Sequence, residues 1–309
     1  MPNYLENLMI RLAQGVDRLP ERVRAKHAEY LKRSQRDDGG FAGREGESDL
    51  YYTAFALRGL ALLGELDGEP AERAAGFLKR QPSATTPLVD FISFLFGGAL
   101  LQAAAGIDVF ASAAPAWRES VASLFERFRR SDGGYAKTDE GHSSSTYHTF
   151  LIAVAQQLLG SSPADRSRLI DFVRSRRRED GGFVEIGPMR KSGTNPTAAA
   201  AGLLTMVDAF DEELRGGVVG FLSEMQTDEG GLKANTRIPL ADVLSTFTGL
   251  LTLADSAGLD EIDGRAAWRY VASLEADGGG FYAGVWDTAA DVEYTFYGLG
   301  SLALLAGAG

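Results

Sequence analysis

Long apolar stretches with little charge alternate along this chain with shorter stretches that mix charged and apolar residues. The stretches from Ala54 to Leu63 and from Phe296 to Leu305 are of the first kind. A helix with so little charge must be buried on most of its faces. The segment around Tyr30 is of the second kind, with Lys32 and Arg33 beside apolar residues, which predicts a helix with one buried and one solvated side. The alternation therefore predicts pairs of helices, an outer one followed by an inner one.

The pairs belong to an internal repeat, which is strong evidence for a repeat architecture. Equivalent apolar anchors recur every 47 to 49 residues, at Tyr30, Phe77, Leu124, Phe172, Phe221 and Tyr270. Ten residues after five of these anchors comes the second glycine of a Gly-Gly pair, at Gly40, Gly134, Gly182, Gly231 and Gly280, and an aromatic residue or Leu follows it. The second copy has Pro87 where the glycine should be. We expect the glycines to end the first helix, because glycine tolerates the left-handed backbone of a C-cap.

The second helix of each copy is expected to begin at a residue that commonly caps helices, namely Asp49, Asp90, Ser145, Asn195, Asp242 and Asp291. Six such pairs can bury their apolar faces as two concentric rings, and an open solenoid is the competing arrangement. We expect a closed, all-α double ring in a single domain over residues 1–309. An extra N-terminal helix occupies residues 1–19, and the six repeats run from about 20 to 306.

Composition narrows the classes of partner. Apolar residues make up 45% of the chain, the net charge is −11, and there is no cysteine. An acidic chain disfavours nucleic acid and anionic membrane surfaces as general partners, and we find no membrane span. The start of the sequence does not resemble a secretory signal. We expect a cytoplasmic protein.

The pattern of aromatic, Leu, three residues, Gln, then Gly-x-aromatic resembles the repeat of squalene and terpene cyclases. The Asp-Gly-Gly-Phe loop and the repeat length are still more similar to the β subunit of protein prenyltransferases. The resemblance covers about residues 20 to 306 and implies an α6/α6 toroid with a central cavity. It also implies an isoprenoid ligand and a helical partner subunit.

The same resemblance implies a zinc site at Asp242, Leu244 and Tyr294, where the family has Asp, Cys and His. Two of the three ligands are therefore replaced, and a single carboxylate does not hold zinc usefully. Asn195 and Tyr147 stand where the family has its diphosphate-binding His and Arg. The Asp-x-Asp-Asp acid motif of squalene cyclases is absent from the sequence. We therefore expect no zinc and no other cofactor.

Residues two, three and six positions after each inner-helix cap are expected to face the cavity. They are aromatic on one side, with Tyr51, Tyr52, Phe55, Phe96, Tyr147, His148, Tyr294 and Tyr297. They are small or apolar on the other, with Thr197, Ala198, Ala201, Leu244, Ser245 and Thr248. Aromatic faces stabilise cations, and such a lining leaves room for an elongated apolar guest. The same rings could instead simply fill the centre of the protein.

Candidate acids and bases are Asp242, Asp291, Tyr294 and His148, with helix capping as the competing role of the aspartates. Basic residues in the loops before the inner helices, above all Arg237, could bind a diphosphate beside the helix N-termini. His27 is expected to be solvated on an outer helix.

These observations predict a divergent, zinc-independent relative of prenyltransferase β subunits that binds an isoprenoid or similar apolar ligand. Prenyl transfer or cyclisation is the expected chemistry if the chain is an enzyme. The alternative is a non-catalytic scaffold that pairs with a helical subunit or with itself. Carbohydrate processing is a third reading, but Trp117 and Trp268 map to outer helices and Trp286 to a loop.

Overall fold

The computed structural model describes residues 3–81, 86–163 and 165–307, and these are predominantly helical. Helix α1 (Tyr4–Val16) precedes six helix pairs. The first helices of the pairs are α2 (Glu21–Arg33), α4 (Gly68–Lys79), α6 (Trp117–Glu126), α8 (Arg166–Ser175), α10 (Glu212–Ser223) and α12 (Gly264–Ser273). The second helices are α3 (Leu50–Leu62), α5 (Leu88–Ala105), α7 (Thr146–Leu158), α9 (Thr194–Met206), α11 (Val243–Asp255) and α13 (Val292–Gly307). Short strands β1 (Tyr135–Ala136) and β2 (Ser144–Ser145) pair antiparallel. The extra N-terminal helix and the six repeats are thus confirmed.

The paired glycines form a tight turn of their own and do not cap the first helix, contrary to expectation. Helix α2 ends at Arg33, and its C-cap Ser34 has a right-handed backbone. The turn is closed further on, where the Arg36 N–H donates to Gly40 O over 2.9 Å. The first glycine of the turn adopts a left-handed backbone, as at Gly133 with φ 92°. A residue with a side chain is strained in that conformation.

The second glycine of the pair makes room for the anchor of the next copy. A Cβ at Gly134 would approach the Phe172 ring to 2.4 Å, and one at Gly231 would approach the Tyr270 ring to 2.3 Å. In the copies with a Gly-Gly pair, the anchor of the next copy therefore packs on the loop. In the third copy the fully buried anchor is Phe125, and the expected anchor Leu124 is only half-buried.

A threonine in the first turn of the second helix is a repeated feature that the sequence reading missed. The threonine Oγ1 accepts a hydrogen bond from the backbone N–H of the aromatic residue or Leu that follows the glycines. The bond is 2.9 Å long both from Phe41 to Thr53 and from Phe183 to Thr197. The same bond joins Tyr135 to Thr149, Leu232 to Thr246 and Phe281 to Thr295. Because these donors are buried, each threonine satisfies a polar group that has no access to water.

The chain divides into two compact units, and the first consists of Met1–Ala114 and Val271–Gly309. Its core is built by α3, which packs against α5 and α13, while α1 packs against α13 and α3. The approach of α1 is close, since a Cβ at Gly15 would lie 2.3 Å from Ala303 O.

Within this first unit the last copy packs on the first, which an open solenoid would not show. The His27 ring stacks on Phe281 with ring centroids 4.7 Å apart, and its Nδ1 accepts the Gly280 N–H over 3.1 Å. Lys26 Nζ lies 2.7 Å from Glu275 Oε1. His27 is fully buried, so the expectation that it is solvated is wrong. Burial lowers the pKa of His27 to about 4, although the nearby Glu275 opposes the shift.

The second unit is Pro115–Tyr270. Its core is formed by α9 between α7 and α11, with the outer helices α8 and α10 packed against α9. Phe172, Phe183, Leu203, Phe221 and Leu232 are among its fully buried side chains. The expectation of one domain over residues 1–309 stays a prediction.

Two of the six expected caps are wrong. Helix α5 begins after Pro87, and Asp90 lies in its first turn. A proline suits this position because its fixed φ is compatible with the start of a helix. Helix α9 begins after Gly193, so Asn195 is already its second residue. The Thr194 N–H donates to Ala234 O over 2.9 Å and fixes this earlier start. The other four caps are confirmed.

Helix α5 is long and apolar enough to cross a membrane by length and composition alone. In the first unit, however, 56% of it is buried, and it packs against α3 and α4. It has the surroundings of the core helix of a folded domain.

Candidate ligand site

Most of the predicted site residues lie together in the first unit, at the N-terminal ends of α3 and α13 and just below them. They are Tyr51, Tyr52, Phe55, Asp291, Tyr294, Tyr297 and, deeper, Phe96. We call this group, together with Glu293 and Phe296, the aromatic site. Side chains at the starts of α3 and α13 meet because the two helices pack against each other.

The rings of the aromatic site touch one another. Ring centroids lie 5.0 Å apart for Tyr51 and Phe55 and 5.2 Å apart for Phe55 and Tyr297, both in edge-to-face geometry. Phe296 lies 5.7 Å from Tyr297. Such contacts add to the stability that burial of the rings already gives. Phe55, Phe296 and Tyr297 are buried, whereas Tyr51, Tyr52 and Tyr294 are half-buried and supply the accessible surface of the site.

A buried carboxyl group lies among these rings, and sequence reasoning missed it. Tyr51 Oη donates a hydrogen bond of 2.7 Å to Glu293 Oε1, and Glu293 is 9% exposed. Burial raises the pKa of Glu293, and the nearby Asp291 adds to the shift, against the hydrogen bond from Tyr51. The position of Glu293 in the sequence could have identified it as a site residue. It lies two positions after the cap Asp291, as Tyr51 lies two positions after the cap Asp49.

An ion-pair network lies beside the Tyr294 ring, at the start of α13. The Arg44 guanidinium donates to the Asp287 carboxylate, and its Nε lies 3.4 Å from Asp291 Oδ2. It also lies over the Tyr294 ring, 5.4 Å from the ring centroid. Burial acts to raise the pKa of Asp287, but backbone N–H groups and Arg44 outweigh it and lower that pKa. Burial raises the pKa of Asp291, which also caps α13.

The positively charged side chain of Arg58 lies against the deeper rings of the aromatic site. The Arg58 guanidinium lies 4.7 Å from the centroid of the Phe55 ring and 5.1 Å from that of Phe96. It also lies 5.8 Å from the Phe296 centroid. Because the cap of α5 is Pro87, three residues before Asp90, Phe96 lies nine residues after its cap. Arg58 likewise lies nine residues after its cap Asp49. The expectation that Phe96 lies six residues after its cap is therefore wrong, while its role as a ligand-binding residue stays a prediction.

The remaining predicted residues lie in the second unit. Asp242 caps α11, and its carboxylate accepts from the Ser245 N–H over 2.7 Å and from Ser245 Oγ over 2.8 Å. Burial raises the pKa of Asp242. Leu244 is half-buried, Tyr147 is 39% exposed, and Arg237 lies in an exposed loop.

The corrected start of α9 changes the lining predicted for the second unit. Thr197 holds the Phe183 N–H in the core and does not line a cavity. Asn195, two positions after the cap, accepts a hydrogen bond of 2.6 Å from Thr248 Oγ1.

His148 belongs to a small polar cluster with Ser145 and Glu185. Ser145 Oγ lies 2.8 Å from His148 Nδ1 and also donates to the Glu185 carboxylate. Burial lowers the pKa of His148, and Lys137 adds to the effect. In a nucleophilic triad the histidine lies between the serine and the acid, whereas here the serine lies between the other two. The cluster therefore fixes the start of α7 and does not activate Ser145.

The residues at the family's zinc positions do not fit a zinc site. Leu244 offers no donor atom, Tyr294 contacts Arg44, and both oxygens of Asp242 face the first turn of α11. In the part of the chain that the structure describes, no three His, Asp or Glu side chains lie together as metal ligands would. The expectation that the chain uses no zinc stays a prediction.

Comparison with known protein families shows to which family the chain belongs. The prenyltransferase alpha-alpha toroid domain family matches residues 8–89 and 100–308, and the chain belongs to this family. The match confirms the toroid fold class and the resemblance to prenyltransferase β subunits and terpene cyclases. Comparison with curated protein sequences gives no significant match.

Several solved structures share the fold. Protein geranylgeranyltransferase-I of Candida albicans, complexed with GGPP, superposes with a TM-score of 0.72 at 16% identity, over 91% of both chains. The type II terpene cyclase MstE of Scytonema superposes with a TM-score of 0.58 at 15% identity, over 97% of this chain and 98% of that one. An α-1,6-mannanase of Salegentibacter gives a TM-score of 0.59 at 11% identity, over 92% and 98% of the two chains. These low identities establish similarity of fold alone.

Proposed function

We propose that this chain binds an isoprenoid, or a similar long apolar molecule, at the aromatic site. The observation that carries the proposal is the Glu293 carboxyl, held by Tyr51 among aromatic rings at the meeting point of α3 and α13. A carboxyl group with a raised pKa in apolar surroundings is unusual for a purely structural position and typical of functional sites.

The chemistry of the site suits a lipid-like chain. The half-buried faces of Tyr51, Tyr52 and Tyr294 form an aromatic surface that an isoprenoid can cover. Toroids of similar fold act on such molecules: the geranylgeranyltransferase contains GGPP, and a complex of the cyclase contains geranylgeranyl dihydroxybenzoate. The proposal extends this ligand class to the present chain.

The chemistry that the site favours is acid-initiated and does not need zinc. A protonated Glu293 can add its proton to a carbon–carbon double bond of the ligand, whose π electrons form the new C–H bond. The resulting carbocation lies against aromatic faces, which stabilise positive charge. A second double bond can attack this carbocation, which forms a ring and moves the positive charge to another carbon. With or without that step, a neighbouring carbon finally loses a proton, which returns to the carboxylate, so that the net change is a cyclisation or an isomerisation.

The contact between rings supports a second candidate function. Phe55, Phe296 and Tyr297 already fill space against one another, as expected of a core. A non-catalytic scaffold, which pairs through its surface, needs nothing more from these rings.

Thermal denaturation with geranylgeranyl diphosphate and with the neutral alcohol geranylgeraniol separates these candidates. A ligand that binds the native state raises the midpoint in proportion to the logarithm of its concentration. We expect such a rise for the wild-type protein and a smaller one for Tyr52→Ala and Tyr294→Ala.

Trp117→Ala is the matched control, since Trp117 is a half-buried aromatic residue on the outer helix α6. It should leave the ligand-dependent rise unchanged. An unchanged midpoint of the wild-type protein with both ligands would favour the scaffold.

A further inference from the structure

Exposed large apolar side chains are concentrated in the loops before the second helices. Of the seven in the described part of the chain, five lie in these loops: Met189, Ile238, Leu240, Val285 and Trp286. A sixth, Tyr147, lies in the first turn of α7. Scattered exposed apolar residues are normal, but several on adjoining loops of one unit mark an interaction surface, and each unit is therefore described by itself.

In the first unit, negatively charged residues accompany the exposed apolar side chains. Loop residues 43–48 and 284–288 are joined by the bond from Arg44 to Asp287, and together they form what we call the acidic face. Val285 and Trp286 are 54% and 57% exposed there. The exposed charged residues beside them are Glu45, Glu47 and Arg44, and Arg44 is held by Asp287 and Asp291. The charge left open on this face is therefore negative.

In the second unit, positively charged residues accompany the exposed apolar side chains. Loop residues 186–191 and 234–240 precede α9 and α11, and backbone pairing of Gly193 with Asn235 joins them into what we call the basic face. Met189 is 44% exposed, and Ile238 and Leu240 are each 43% exposed.

The charges of the basic face are open to a partner. Arg190, Lys191 and Arg237 are exposed, and none of them forms an ion pair among the described residues. Two neighbouring acids are engaged within the fold, because Glu185 binds Ser145 and Asp242 caps α11. The exposed Glu179 lies beside Arg190 and Lys191, where basic side chains remain in excess.

One partner satisfies both faces. An anionic bilayer suits the basic face and repels the acidic one, and a basic polymer does the reverse. A second copy of the chain brings an acidic face to a basic face, with apolar side chains on both sides of the contact. Complementary charge of this kind fixes the register of an interface and speeds its formation.

We propose that the chain associates with itself, the basic face of one copy binding the acidic face of another. Sedimentation velocity across a range of protein concentrations, at low and at high salt, measures this association directly. We expect the wild-type protein to associate, and added salt to weaken the association by screening the charges.

Two charge-reversed variants make the test specific. In Arg190→Glu/Lys191→Glu both faces are acidic, and in Glu45→Lys/Glu47→Lys both are basic. Each variant alone should associate at least about 10-fold more weakly than the wild type, because like charges now meet. An equimolar mixture of the two should associate again, since every contact between unlike variants joins opposite charges.

Arg265→Glu is the matched control, because Arg265 is exposed in the first turn of α12 and belongs to neither set of loop residues. It should associate as the wild type does, and circular dichroism should show that every variant is folded. A wild-type protein that stays monomeric at about 100 μM, well above the dissociation constants of specific complexes, would overturn the proposal. A mixture that stays monomeric would overturn it as well.

Discussion

Tyr51 Oη donates a 2.7 Å hydrogen bond to Glu293 Oε1, which joins the first turn of α3 to the first turn of α13. The two residues are 242 positions apart in the chain. The bond therefore ties the first copy of the repeat to the last, and it holds the buried Glu293 carboxyl in place among the aromatic rings. The stability of the first unit depends on this contact, and in the proposed function the position of the acid does as well.

Tyr51→Phe removes the donor of this bond and leaves the ring in place. We expect the free energy of unfolding to fall by about 1–2 kcal/mol, because the buried carboxyl loses a partner. Urea unfolding measures the loss. In a Glu293→Met background the same change should cost much less, and equal costs in both backgrounds would show that the bond contributes nothing.

Glu293→Gln should change how stability depends on pH. Because the pKa of Glu293 is raised in the folded protein, the native state keeps its proton at pH values where the unfolded chain has lost it. The stability that this proton provides is fully present below the ordinary pKa of 4.5 and is lost as pH rises through the folded pKa. Thermal unfolding from pH 4 to pH 8 should therefore favour the variant increasingly over the wild type as pH rises. A constant difference between the two proteins would mean that the Glu293 pKa is ordinary.

Gly134→Ala should destabilise the second unit. The new Cβ would lie 2.4 Å from the Phe172 ring, and moving that buried ring costs about 1–3 kcal/mol. Gly216→Ala is the matched control, since Gly216 lies within α10 and a Cβ there meets no atom within 4 Å. It should stabilise the protein by up to about 1 kcal/mol through helix propensity. Equal effects of the two changes in urea unfolding would contradict the packing described here.

Thr197→Val tests the repeated threonine. The substitution preserves shape but removes the oxygen that accepts the Phe183 N–H over 2.9 Å, leaving a buried donor unsatisfied at a cost of about 1–3 kcal/mol. Thr205→Val, at an exposed position of the same helix, should be nearly neutral. Amide hydrogen exchange at Phe183 provides an independent readout, and it should quicken in Thr197→Val alone.

The repeat itself could be predicted, because glycine pairs and aromatic anchors are local signals that recur with one period. The starts of α5 and α9 could not be placed from cap preference alone, since Pro87 and Gly193 also begin helices. The threonine four residues after the cap in the other copies with a Gly-Gly pair would have corrected α9, as Thr197 lies four residues after Gly193. The burial of His27 was out of reach, because it depends on Gly280, 253 residues away in the chain. Glu293 was not predicted because, on that side of the expected cavity, only aromatic side chains were selected as lining residues.

The central claim is that an isoprenoid occupies the aromatic site, and photo-crosslinking tests it most directly. A geranylgeranyl diphosphate analogue with a diazirine on its chain would be irradiated with the protein, and the modified peptides mapped by mass spectrometry. We predict modification within residues 51–58 of α3 and 292–297 of α13, suppressed by excess unlabelled geranylgeranyl diphosphate. Modification confined to other segments, or not suppressed by the competitor, would contradict the account.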